Sequence, residues 1–155
     1  MERPPTLRPA EGADLDALTA VFLRSRAEAM PWLPRIRSDA STRWWIDHAV
    51  LAELEVWVAE REDVLLGFAA LRPGRLEHLH VAPEAQGTGV GRALLGRAVE
   101  RGGAGMVVRV LRRNERAIAF FTGRGFVWEE EGDGSDNEDG RPDVLLRGPG
   151  PDASW

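Results

Sequence analysis

One stretch constrains the fold more than any other, residues 79–95, which read LHVAPEAQGTGVGRALL. An alternating apolar strand runs into a loop with glycines at positions 87, 89 and 91, and an amphipathic helix follows at once. Strand, glycine loop and helix in that order build a cradle for phosphate. Glycine lets the backbone approach an anion, and the first N–H groups of a helix have no internal acceptor. Three glycines before a helix can also form a plain turn, so the neighbouring residues have to discriminate.

At 155 residues the chain is sized for one domain with a substantial core. A net charge of −5 argues against nucleic acid as a partner, because that needs a basic face. The absence of cysteine excludes disulfides, thiolate metal sites and a cysteine nucleophile, and no metal is expected. All 20 basic residues are arginine, and without tyrosine no phenol can act as an acid. Met1 to Pro9 is polar and proline-broken, unlike a secretory leader, and no run approaches the ~18 apolar residues of a membrane span. The expectation is a cytoplasmic protein with no membrane partner, monomeric or homodimeric.

Thr6 to Arg8 reads as a short first strand. Asp14 is placed to cap a helix carrying Leu15, Leu18 and Phe22 on one face, and Pro31 and Pro34 then impose a loop. Ser38 or Ser41 can cap a second helix with Trp45, Ile46, Ala49 and Val50. Glu55–Glu60 and Val64–Leu71 form strands joined by a tight turn near Glu62 and Asp63, and Arg75–Val81 is the next strand. A helix over Gly89–Arg101 follows, then a strand over Met106–Leu111 and a helix over Asn114–Thr122, ended by Gly123 or Gly125. Phe126–Glu129 and Asp143–Arg147 read as an antiparallel pair. The order β-α-α-β-β-β-α-β-α-β-β is a mixed α/β (α+β) fold in one domain over residues 6–147, with residues 148–155 as a loose tail.

The spacing of the glycines removes two rivals. A dinucleotide fold wants G-x-G-x-x-G and an acid about 20 residues on, whereas this loop is G-x-G-x-G. A triphosphate loop needs a lysine that the chain lacks. Gln86-x-x-Gly89-x-Gly91 instead completes the Q/R-x-x-G-x-G/A signature of the GNAT acyltransferases, which the chain resembles from about Thr6 to Arg147. Asn114 to Phe126, reading NERAIAFFTGRGF, is similar to that family's second motif, N-x-x-A-x-x-F-Y-x-x-x-G-F.

The resemblance implies a mixed, mostly antiparallel sheet flanked by helices, with fourth and fifth strands that splay apart to admit acetyl-CoA. It assigns the pyrophosphate to Gln86, Gly87, Thr88, Gly89, Val90, Gly91 and Arg92, where a helix N-terminus suits a diphosphate. Arg92 is equally placed to be a solvent-facing helix residue. Leu79, His80 and Val81 are implied to pair with the pantetheine arm like an added strand, across from Met106 to Val110. Asn114, Ala117, Phe120 and Phe121 complete the implied coenzyme site, and Asn114 can also cap the following helix. The oxyanion donor is implied to be a backbone N–H near Val81.

In several family members a carboxylate or histidine on the fourth strand takes the amine's proton, directly or through water. The implied position falls on Glu77, which by the period-2 rule shares a face with Leu79. Glu77 is therefore the first candidate base and His80 the second, the latter needing a local bulge to turn inward. The family's tyrosine acid is Phe121 here, so the thiolate leaves unassisted or takes its proton from water, or a serine or histidine has taken that role. On the acceptor side the resemblance points to Met30, Trp32 and Leu33, with Glu77, and with Trp44 or Trp45 near. Glu129 to Asp139 holds seven acids and no base, either a solvated loop or a funnel for a cationic amine with Asp136, Glu138 and Asp139 near the mouth. The expected activity is acetyl transfer from acetyl-CoA to a primary amine, of a small molecule or a peptide, in a ternary complex. The alternative is a non-catalytic acyl-CoA-binding domain.

Overall fold

The computed structural model describes residues 3–151. Seven strands form one sheet, in the order β1-β2-β3-β4-β5-β7-β6. They are β1 (Thr6–Pro9), β2 (Glu55–Arg61), β3 (Val64–Arg72), β4 (Arg75–Val81), β5 (Val107–Leu111), β6 (Val127–Gly132) and β7 (Asp143–Arg147). The helices are α1 (Leu15–Ala29), α2 (Asp39–Trp45, continued by a π-helical turn over Ile46–Leu51), α3 (Val90–Gly102) and α4 (Glu115–Thr122). Short 3-10 turns at Gly12–Asp14 and Pro83–Ala85 complete the chain. The expected order is the observed one, with element ends shifted by a few residues.

Local chemistry accounts for most of these elements. Ser38 caps α2, its hydroxyl accepting the Ser41 N–H at 3.1 Å. Glu62 and Asp63 both take positive φ, the conformation a two-residue β2–β3 turn requires. Asp14 departs from expectation. It holds the N-cap position of α1, but its carboxylate accepts the Glu11 N–H at 2.8 Å and pairs with Arg8, so the side chain closes the preceding 3-10 turn and makes no capping bond to α1. Of the expected tail, residues 152–155 lie outside the described residues. Gly148 and Pro149 are tied to the turn before β5, by Gly148 N–H to Met106 C=O and Gly105 N–H to Pro149 C=O.

Strand alternation splits the apolar residues between two layers. Val58, Phe68 and Ala70 face α1 and α2, packing on Leu18, Phe22, Ile46 and Val50. Ala59, Ala69, Leu76, Val108 and Val144 face the other way, onto Leu94, Leu95, Ala98 and Phe121. Each fully buried Val, Leu, Ile or Phe side chain among them contributes about 1.5–3 kcal/mol.

Two irregularities shape the middle of the sheet. β4 and β5 run parallel and pair only at Arg75–Val107 and Leu76–Val108, after which they diverge. On its other edge, β4 places His78 opposite Ala70 but Leu76 opposite Leu71, so Glu77 is an extra residue in a bulge. The bulge resets the alternation. Leu76, Leu79 and Val81 pack with the α3 layer, while His78 and His80 meet Phe22 on the α1 side.

Gly67 lets α3 seat against this part of the sheet. A Cβ there would lie 2.8 Å from the His80 carbonyl oxygen and 3.1 Å from both Val90 and Leu94. Gly67→Ala is expected to cost about 1–3 kcal/mol by overpacking, read as a lower urea midpoint at unchanged m-value. An unchanged midpoint would show that the strand and helix are not held so closely.

Candidate active site

The divergence of β4 from β5 opens a cavity of about 510 Å³. One wall is β4 itself, through Leu79, His80 and Val81. The glycine loop and the start of α3 form its upper end, through Gln86, Gly87, Gly89, Gly91 and Arg92. α4 supplies Asn114, Ala117, Phe120 and Phe121, and α1 closes the side opposite.

The backbone in the gap is poised to bind. Ala82 donates its N–H to Leu66 C=O at 2.8 Å, toward β3. Strand alternation then turns the N–H and C=O groups of Leu79 and Val81 into the gap, where β5 no longer reaches them and only the Gln86 amide, donating to Val81 C=O at 3.4 Å, meets them. At the upper end Gly87 and Gly89 take φ of 76° and 92°, and Gly89 sits at the N-cap of α3 with no side-chain capping bond. The first intrahelical bond from the cap is Ala93 N–H to Gly89 C=O, which leaves the N–H groups of Val90, Gly91 and Arg92 to an outside acceptor. A Cβ on Gly91 would press on the Phe120 ring at 3.3 Å. Arg61 fixes the loop from β2, donating to the Thr88 hydroxyl at 2.9 Å and to its carbonyl at 2.8 Å.

All the residues expected to hold the coenzyme line this cavity except two. Thr88 is turned to Arg61 and to Ala85 C=O, and Val90 is fully buried beneath the loop. Asn114 does cap α4, its Oδ1 accepting the Ala117 N–H at 3.2 Å, and it lines the cavity as well. Phe121 is almost wholly buried, 5.2 Å from both Phe120 and Phe126.

The two candidate bases part company. Glu77, in the bulge, is bound by Arg72 at 3.1 Å and Arg75 at 3.0 Å and does not line the cavity. The face expected from simple alternation is lost to the extra residue. His80 does line the cavity, its Nδ1 3.1 Å from the Ser25 hydroxyl. The same hydroxyl lies 3.2 Å from Phe22 C=O. With its proton given to Phe22 C=O, the Ser25 oxygen accepts from His80 Nδ1–H and the lone pair is on Nε2; with it given to Nδ1, the tautomer is the reverse. Burial pushes His80 down to about 3, and His78 and Arg26 add to the shift. Burial also lowers His78 to about 4, against the pull of Glu138. Both rings are neutral at pH 7.

On the acceptor side Met30 lines the cavity, whereas Leu33 is buried and Trp32 lies outside, its ring facing the guanidinium groups of Arg113 and Arg141. Trp45 packs against Phe22 and His78, and Trp44 is exposed and stacked on His48. The acidic loop is no open funnel, because Asp139 pairs with Arg26 at 2.8 Å and Glu138 with Arg37 at 2.9 Å. Sequence reasoning missed Ser25, Arg26 and Ala29 of α1, together with Arg116 and Arg124. The spacing of Ser25 and Ala29, one helical turn apart with Met30 next, is the signal that could have found the α1 wall. Glu28, held below the usual carboxylate range by Arg116, also accepts from Gln86 and so ties α1 to α4 and the glycine loop.

Comparison with known proteins agrees with this geometry. The sequence profile of the acetyltransferase (GNAT) domain matches residues 52–128. The chain is 29% identical over 137 residues to the peptidyl-lysine N-acetyltransferase YiaC of Escherichia coli, covering 81% of this chain and 88% of that protein. Its fold is similar to the solution structure of apo YjaB from E. coli, with a TM-score of 0.77 and 26% identity over 96% of this chain and 99% of that one. It is also similar to YncA of Salmonella typhimurium, solved with acetyl-CoA, with a TM-score of 0.68 and 23% identity over 94% and 93% of the two chains. Among the described residues no helix is long and apolar enough to cross a membrane, and no cluster of potential metal ligands is found.

The neutral histidines carry a pH consequence. In the unfolded chain each takes up a proton near pH 6.5, but in the fold only near 4 or 3, so stability falls as pH drops below 6.5. Each contributes a slope of up to about 1.4 kcal/mol per pH unit. Between pH 6 and 5, before carboxylates titrate, His80→Gln should remove about half of this slope in urea unfolding. An unchanged slope would mean that His80 is charged in the fold.

Proposed function

The chain belongs to the GNAT family of acetyltransferases, and on that basis we propose that it moves acetyl from acetyl-CoA directly onto a primary amine, both substrates being bound together. The observation that carries this reading is the single cleft that joins a helix N-terminus, a run of strand backbone that β5 leaves without a ladder and an unprotonated imidazole. A pyrophosphate fits the free N–H groups at the start of α3, with Arg92 and Arg116 beside them. Arg124 lines the same cavity, its guanidinium lying over the Phe120 ring at 4.0 Å. The amide-rich pantetheine arm suits the N–H and C=O groups of Leu79 and the N–H of Val81.

Acetyl-CoA supplies the activated thioester, and the chain supplies binding, orientation and a proton acceptor. The Val81 N–H faces the gap where carbonyl oxygen charge develops. His80 Nε2 is the proton acceptor. An imidazole held near 3 cannot strip an ammonium of pKa about 10. The amine therefore loses its first proton to water, and His80 takes the much more acidic proton that appears once the C–N bond forms. With Phe121 in place of a tyrosine, the thiolate leaves without a side-chain acid, as a group with pKa near ~8.5 can.

A peptide lysine is the acceptor best supported, since the E. coli relative is named for that amine. Phe121 is the one feature that favours the alternative of a coenzyme-binding domain without catalysis, and His80 in the cleft weighs against it.

Thiol release from acetyl-CoA in the presence of lysine peptides and small amines tests the proposal. Turnover is expected, with kcat/KM rising tenfold per pH unit through neutrality and no plateau at pH 6–7. His80→Gln should lower kcat by about 10²-fold with unchanged acetyl-CoA affinity, while Glu77→Gln keeps the wild-type rate. The reverse pattern would return the role to Glu77. Tight acetyl-CoA binding with no turnover on any amine would refute an acetyltransferase.

A further inference from the structure

We propose that Arg113, Arg141 and Trp32 form a subsite for a carboxylate of the acceptor, so that the preferred substrate carries a negative charge near its reacting amine. The inference rests on the acetyl-transfer reading for the identity of the occupant. Its physical basis is the charge distribution around the acceptor mouth. Three of the acidic residues there are matched with arginines, Asp139 with Arg26, Glu138 with Arg37, and the almost wholly buried Asp143 with Arg109 at 2.8 Å, while Asp136 is exposed on the loop. Arg113 and Arg141 are left over. Among the described residues no carboxylate lies within ion-pair distance of either.

Both are nonetheless held in place. Their guanidinium carbons lie 4.5 and 5.7 Å from the centroid of the Trp32 ring. The backbone beneath them is fixed by Arg112 N–H to Pro142 C=O at 2.9 Å, and by the Asn137 side chain, which donates to Arg141 C=O at 2.7 Å. Stacking on an indole leaves the N–H edges of a guanidinium free, and that planar fork matches a carboxylate. The position is also suitable. Trp32 follows Met30 by two residues and Arg113 precedes Asn114, and both Met30 and Asn114 line the cavity. Trp32 and Arg113 thus adjoin cavity-lining residues along the chain, and the proposal seats the acceptor's carboxylate at their stack.

Two sources share that chemistry, an acidic side chain next to an acceptor lysine and the α-carboxylate of a free amino acid. Binding to the CoA-saturated protein is measured by calorimetry for a blocked peptide containing Lys-Glu, its Lys-Gln counterpart, free lysine and lysine amide. At least one carboxylate-bearing member of the two pairs is expected to bind about fivefold more tightly than its amide. The pair that shows the difference identifies the source. The preference should vanish in 0.5 M salt, which needs no variant, and in Arg113→Gln/Arg141→Gln. Equal affinities in both pairs, or a preference that survives the double substitution, overturns the subsite. Because the readout is binding, a preserved preference without turnover would support the subsite while refuting acetyl transfer.

Discussion

The parting of β4 from β5 governs everything else in this protein. Two residue pairs hold the strands together at Arg75 and Leu76, and beyond them the ladder stops. Unpaired strand backbone is costly inside a protein and invites an extended partner. Here it lies in a cleft roofed by α4 and ended by the N-terminus of α3, so the partner that fits has amides along its length and phosphates at one end. The bulge at Glu77 belongs to the same device. It lets Leu76 close the core at the last paired position and sets His80 on the α1 side, where its Nδ1 meets the Ser25 hydroxyl at 3.1 Å.

Much of this was legible because the chemistry is local. The glycines at 87 and 89 require positive φ, Ser38 and Asn114 cap as their side chains allow, and the turn at Glu62 and Asp63 follows from strand patterning. The positions of the coenzyme-facing residues followed from two motifs, each of them a continuous run. Thr88 and Val90 were exceptions, since a motif does not say which members of a loop turn inward to support it.

What stayed hidden was whatever depends on register or on distant partners. The period-2 rule put Glu77 beside Leu79, and one extra residue against β3 undid it. The α1 wall came from Ser25, Arg26 and Ala29, whose helix carries no motif. The acidic loop read as solvated or as a negative funnel, because its arginine partners lie far off in sequence, Arg26 and Arg37 against Asp139 and Glu138. Folding brought these charges together and left Arg113 and Arg141 stacked on Trp32.

Whether the β4–β5 gap is the coenzyme site can be read from backbone amide resonances while acetyl-CoA is added to the protein. The largest shifts are expected at Leu79, Val81, Gly87, Gly89 and Gly91, with the β1–β2 end of the sheet unmoved. Shifts centred away from the gap, or none at saturating ligand, would refute that assignment.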